Sequence, residues 1–67
     1  MTFSENLVRL RKASGLTQTQ VAAGAGISWR GYQNYELNLR EPLMHTLVAL
    51  ADFYHITVDE LICHEKK

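Results

Sequence analysis

Between Gly15 and Glu36 the chain carries two helix starts and one tight turn, in a stretch that leaves room for little else. Thr17 with Gln20 makes a capping box: the hydroxyl accepts from the third backbone N–H of a new helix, and the amide side chain reaches back to the cap. Val21 and Ala22 supply the apolar face of that helix. Gly24 and Gly26 are expected to end it, because Gly enters the left-handed region without a Cβ penalty. Ser28 then caps the next helix. The segment therefore predicts two short helices joined by a tight turn over about residues 17–37.

A step of 100° per residue sorts the faces of the second of these helices. Ser28, Tyr32 and Tyr35 fall on one side. Arg30, Gln33, Asn34 and Leu37 fall on the other, with Trp29 on the flank. Polar outer faces are common on helices. Here, however, the outer face offers the donors and acceptors that read base edges in a major groove, and the preceding turn favours that use. Arg is the commonest bidentate reader of guanine and Asn or Gln of adenine, each good pair giving ~1–3 kcal/mol of discrimination. Trp29 is suited equally to stacking on a sugar or thymine methyl and to lying over the preceding helix. Gly31 costs ~1 kcal/mol in a helix relative to Ala, which predicts a close approach to the helix before it.

The chain resembles the phage repressor and Cro family of helix-turn-helix regulators, the XRE type. The resemblance is carried by Leu10-Arg11-Lys12 ahead of Gly15-Leu16-Thr17-Gln18, by Val21-Ala22, Gly26-Ile27-Ser28, Tyr35-Glu36 and Arg40-Glu41-Pro42, and by Leu47, Leu50-Ala51 and Val58-Asp59-Glu60-Leu61. It implies a compact all-α, five-helix fold of the lambda-repressor kind. The third helix, Ser28 to about Leu37, would enter the major groove of duplex DNA. It further implies that Arg11 and Glu36 pair to tie the first helix to the third. Gln18 would donate to a DNA phosphate, with Thr17 beside it at the same helix start, aided by the positive end of the helix. Asn38 and Arg40 in the following loop are assigned to the phosphate backbone as well. Three positions depart from the family pattern. Leu37 stands where a polar residue often contacts phosphate, Asn38 replaces a Gly but tolerates the left-handed region, and Leu43 stands where a Ser or Asp cap is usual.

Sixty-seven residues make one domain, 1–67, with enough hydrophobic content (46%) for a single core and no walls for a catalytic cleft. A chain this short buries only about 60% of its unfolded surface and gains from a partner subunit. No run approaches a membrane span, residues 1–11 lack the apolar core of a signal peptide, and Cys63 has no partner for a disulfide, so the cytoplasm is the expected compartment. The formal net charge of zero conceals a polarity. Residues 1–40 hold five basic and two acidic side chains, net +3; residues 41–67 hold two basic and five acidic, net −3. A DNA-facing side and a DNA-averse side can therefore coexist.

The remaining pattern gives three further helices. Thr2 with Glu5, or Ser4 alone, can cap the first, which runs to about Ala13 with Leu7 and Leu10 inward. The fourth, about Leu43 to Tyr54, repeats apolar residues at Leu43, Leu47, Leu50, Ala51 and Tyr54. Thr57 with Glu60 caps a short fifth that buries Leu61. His45, His55, Cys63 and His64 lack the spacing of a metal site, and Ser28 has no nearby His to act as a nucleophile's base, so neither metal, cofactor nor catalysis is expected. Tyr54, Ile56 and Leu61 suffice to seal the fifth helix, leaving Phe53, Val58 and Ile62 for a two-fold contact between copies. Two functions fit: a sequence-specific DNA-binding regulator, most simply a repressor acting as a homodimer on a two-fold operator, and a protein-interaction module of the same fold, such as the antitoxin of a toxin–antitoxin pair.

Overall fold

The computed structural model describes residues 1–63. Five helices follow in order: α1 (Phe3–Ala13), α2 (Gln18–Ala25), α3 (Trp29–Glu36), α4 (Met44–Tyr54) and α5 (Val58–Leu61). Among the described residues there is no strand. The all-α, five-helix expectation therefore holds.

Helix starts follow the sequence closely. Thr2, Thr17 and Thr57 each accept from the backbone N–H three residues on, while Glu5, Gln20 and Glu60 return a side-chain oxygen to the cap. Ser28 Oγ accepts from the Gly31 N–H at 3.1 Å. Leu43 precedes α4 with no side-chain cap.

Helix ends share a second device. Gly15, Gly26, Asn38 and His55 have φ of 69°, 72°, 60° and 57°, and the residue after each donates its N–H back to the carbonyl five positions earlier. Those bonds are Leu16 to Arg11 (3.2 Å), Ile27 to Ala22 (2.8 Å), Leu39 to Asn34 (2.9 Å) and Ile56 to Ala51 (3.0 Å). Asn38 takes the left-handed position as expected. Gly24 does not end α2, which continues through Ala25; Gly26 alone does. Gly24 instead faces the Phe53 ring, which occupies the space a Cβ would need. Gly31 likewise makes room for the cap hydroxyl of Ser28, 2.9 Å from where its Cβ would stand, and not for α2.

Each helix contributes to one core: Leu7 from α1, Val21 and Ala22 from α2, Tyr32 from α3, Leu50 and Ala51 from α4, and Leu61 from α5. α2 packs on α3 and α4, α1 on α3 and α5, and α4 on α5. Leu43 is not part of this face; it is 68% exposed, because it lies before the first turn of α4. Asn6 is buried in the α1–α5 contact. Its amide donates to the carbonyls of Glu60 (3.1 Å) and Leu61 (2.9 Å), and its oxygen accepts from Arg9. The end of α5 is thereby closed by a side chain from the other end of the chain.

Candidate nucleic-acid interface

α3 is held in place by an ion pair that is buried, not exposed. Arg11 Nε donates to Glu36 Oε2 at 2.7 Å and Nη2 to Oε1 at 3.2 Å, and the Glu36 side chain is only 4% exposed. Gln18 Nε2 adds a third donor to Oε1 at 2.9 Å. Burial pushes the Glu36 carboxyl up, but the hydrogen bond and charge of Arg11, together with the Gln18 amide, outweigh it and hold it below the usual carboxylate range. The hydroxyls of Tyr32 and Tyr54 are buried nearby without a partner in bonding geometry. Burial first, and then for Tyr32 the adjacent carboxylate, keeps both protonated. α1, α2 and α3 thus meet at one carboxylate. A pair this enclosed is not governed by the ~0–1 kcal/mol of exposed pairs; removing one partner of a buried pair costs about 3–5 kcal/mol.

With Tyr32 turned fully inward, the opposite stripe of α3 faces out. Trp29 is 45% exposed, leaving much of its ring open to solvent. Arg30 is exposed, and Gln33 and Asn34 are half-buried. The expected set Trp29, Arg30, Gln33 and Asn34 therefore shares one short helix, Trp29–Glu36.

The expected phosphate-binding residues flank this stripe. Thr17 and Gln18 sit at the start of α2, where backbone N–H groups and the helix dipole favour an anion. The Gln18 amide spends one donor on Glu36 and keeps its second N–H. Asn38 and Arg40 lie in the exposed loop after α3. Arg40 also lines a groove of about 440 Å³ with Ser28, Gly31, Tyr35, His45 and the buried Thr46.

A helix-turn-helix family model matches residues 7–61. The chain belongs to the XRE-type helix-turn-helix family. This XRE-type domain is 43% identical over 61 residues to the cryptic phage CTXphi transcriptional repressor RstR of Vibrio cholerae, covering 91% of the domain and 54% of that protein. It is 40% identical over 60 residues to YqaE, an uncharacterized HTH-type transcriptional regulator of Bacillus subtilis (90% and 52%). It is 33% identical over 66 residues to the HTH-type transcriptional activator BcrR of Enterococcus faecalis (98% and 32%). The chain spans about half the length of the first of these relatives. Among solved structures, a transcriptional regulator from Listeria innocua superposes with a TM-score of 0.88 at 32% identity, over 98% of this chain and 62% of that one.

Other parts of the chain carry less. Among the described residues no group of three or more His, Cys, Asp or Glu is placed to hold a metal ion, and no helix is long and apolar enough to cross a membrane. His64, considered above as a ligand, and the Glu65, Lys66 and Lys67 charges lie outside the described residues. Phe53 is not surplus: its ring covers Gly24 and meets Tyr54 edge-on at 5.0 Å. Val58 and Ile62 are half-buried. The large apolar side chains most open to solvent beyond Met1 are Leu37, on the outward face that its spacing predicts, and Leu39, Leu43 and Met44.

Proposed function

We propose that this domain binds duplex DNA sequence-specifically, lays α3 in the major groove and represses transcription from the site it occupies. The observation that carries the reading is the outward stripe of Arg30, Gln33 and Asn34 on a helix whose rotation is fixed by the Arg11–Glu36–Gln18 cluster. A reading helix needs such fixing, because a small rotation would move every side chain off its base pair. In this reading Trp29, Arg30, Gln33 and Asn34 touch bases, while Thr17, Gln18, Asn38 and Arg40 clamp phosphates on either side. The domain acts as a homodimer on a two-fold operator with half-sites about one helical turn apart. Val58 and Ile62 form the contact between copies, away from α3, while Phe53 is taken up by Gly24 and Tyr54.

Selection of bound duplexes from a random DNA pool, followed by titration of the winner across a salt series, tests the proposal. We expect one recurrent half-site and a linear fall of log affinity with log salt, as counterions leave the phosphates. Recovery of no preferred duplex, or an affinity indifferent to salt, overturns it. A reporter carrying the selected site upstream of a promoter then separates repression from activation.

A further inference from the structure

Leu37 is the residue of α3's outward stripe that the polar reading leaves without a task. Its backbone is still helical, with φ −83° and ψ −1°, and its N–H donates to Gln33 O at 3.0 Å, so the stripe that contains Arg30, Gln33 and Asn34 continues through it. The four positions recur at i, i+3, i+4 and i+7, the spacing with which a helix lying along the major groove presents side chains to bases. The Leu37 side chain is 58% exposed and stands outside the core and the apolar side chains packed around it. Its neighbour Glu36 is locked to Arg11 and Gln18, which fixes the direction Leu37 points.

A leucine has no donor or acceptor and so no use for a phosphate. In the major groove the apolar group that base edges offer is the C5-methyl of thymine. Leu37 lies seven residues beyond Arg30, about 10 Å along the helix axis, which is roughly three base pairs. We propose that Leu37 is a specificity-determining residue that packs against a thymine methyl about three base pairs from the one Arg30 reads. The inference rests on the DNA-binding reading above. It assigns the last turn of α3 a base preference where a polar side chain would have gripped the backbone.

The experiment starts from the duplex that the wild-type protein selects. Each thymine is replaced in turn by deoxyuridine, which removes the methyl group and leaves the hydrogen-bonding edge unchanged. Dissociation constants are measured at fixed salt for wild type, Leu37→Ala and Leu37→Met. One thymine per half-site should be found whose demethylation weakens wild-type binding about fourfold, the equivalent of one methyl group's burial. Leu37→Ala should bind both duplexes alike, and Leu37→Met should recover part of the difference. The inference is overturned if no demethylation weakens the wild type, or if Leu37→Ala loses as much as the wild type at every sensitive thymine. Failure to select any duplex would instead overturn the DNA-binding reading itself.

Discussion

Replacing Gly24 by Ala should change stability with a sign that depends on Phe53. A Cβ at Gly24 would stand 2.8 Å from Phe53 Cδ1, 3.1 Å from Cζ and closer still to Cε1. Gly24 lies inside α2, where Ala is favoured over Gly by ~1 kcal/mol. Forcing an extra methyl into a filled contact costs about 1–3 kcal/mol, and a value near the middle, about 2 kcal/mol, is expected because the half-buried Phe53 ring can swing partly aside. Gly24→Ala should therefore destabilise the wild-type domain by about 1 kcal/mol, or about 4–8 °C in Tm for a domain of this size. In a Phe53→Ala background the obstruction is gone and the helix preference remains, so the same change should stabilise by ~1 kcal/mol. Urea unfolding of the four proteins gives the coupling directly, expected near 2 kcal/mol from those two opposed terms. Equal effects of Gly24→Ala in both backgrounds would refute the argument that this glycine is a seat for the ring.

Three further outcomes follow from the interface. Arg30→Ala and Asn34→Ala should each relax preference at particular operator positions by ~1–3 kcal/mol. Arg40→Ala, which bears on no contact that orients α3, should weaken all duplexes alike, and competition binding with single-base operator variants would expose a common uniform loss as a failure of the division. Because Glu36 titrates below its ordinary 4.5, the stability it contributes is present above that value and is lost as pH falls through its folded value. Acid unfolding should accordingly be steeper below pH 4.5 for wild type than for Glu36→Gln, and parallel curves would contradict the assignment. If Val58 and Ile62 lie between copies, sedimentation should show Val58→Asp and Ile62→Asp at half the wild-type mass; unchanged mass in both removes them from any interface.

What was legible in the sequence was what is local. Thr-x-x-Glu and Thr-x-x-Gln mark helix starts because cap and partner lie within one turn, and Gly26 and Asn38 mark ends because few residues tolerate φ near 60°. His55 takes the same conformation, which His enters more often than most residues but far less readily than Gly, so its sequence signal was weak. Periodicity placed Arg30, Gln33 and Asn34 opposite Tyr32, since a helix face depends on spacing alone. It failed where a residue's task is set by a distant segment. Asn6 closes the end of α5 across 54 and 55 residues of chain, and nothing near Asn6 in sequence reveals it. Gly24 read as a helix terminator because the ring it serves lies in another helix. The Arg11–Glu36 pair was foreseen from resemblance, but its enclosure was not, because burial of Glu36 depends on how α1 and α2 close over α3.

The missing cap of α4 has a kinetic consequence. Thr46 and Leu47 both donate to the Leu43 carbonyl, at 3.0 and 3.1 Å, but the preceding N–H groups of Met44 and His45 have no side chain to receive them. Of the five helix starts, this is the one without a side-chain cap, and it follows directly on the loop that carries Arg40. The first turn of α4 should therefore fray more readily than the four starts whose Glu5, Gln20, Gly31 and Glu60 amides are held by a cap hydroxyl, and its amides should exchange with solvent faster. A phosphate gripped by Arg40 would slow that exchange at Met44 and His45, so protection factors at these two amides would report the occupancy of a site several residues away.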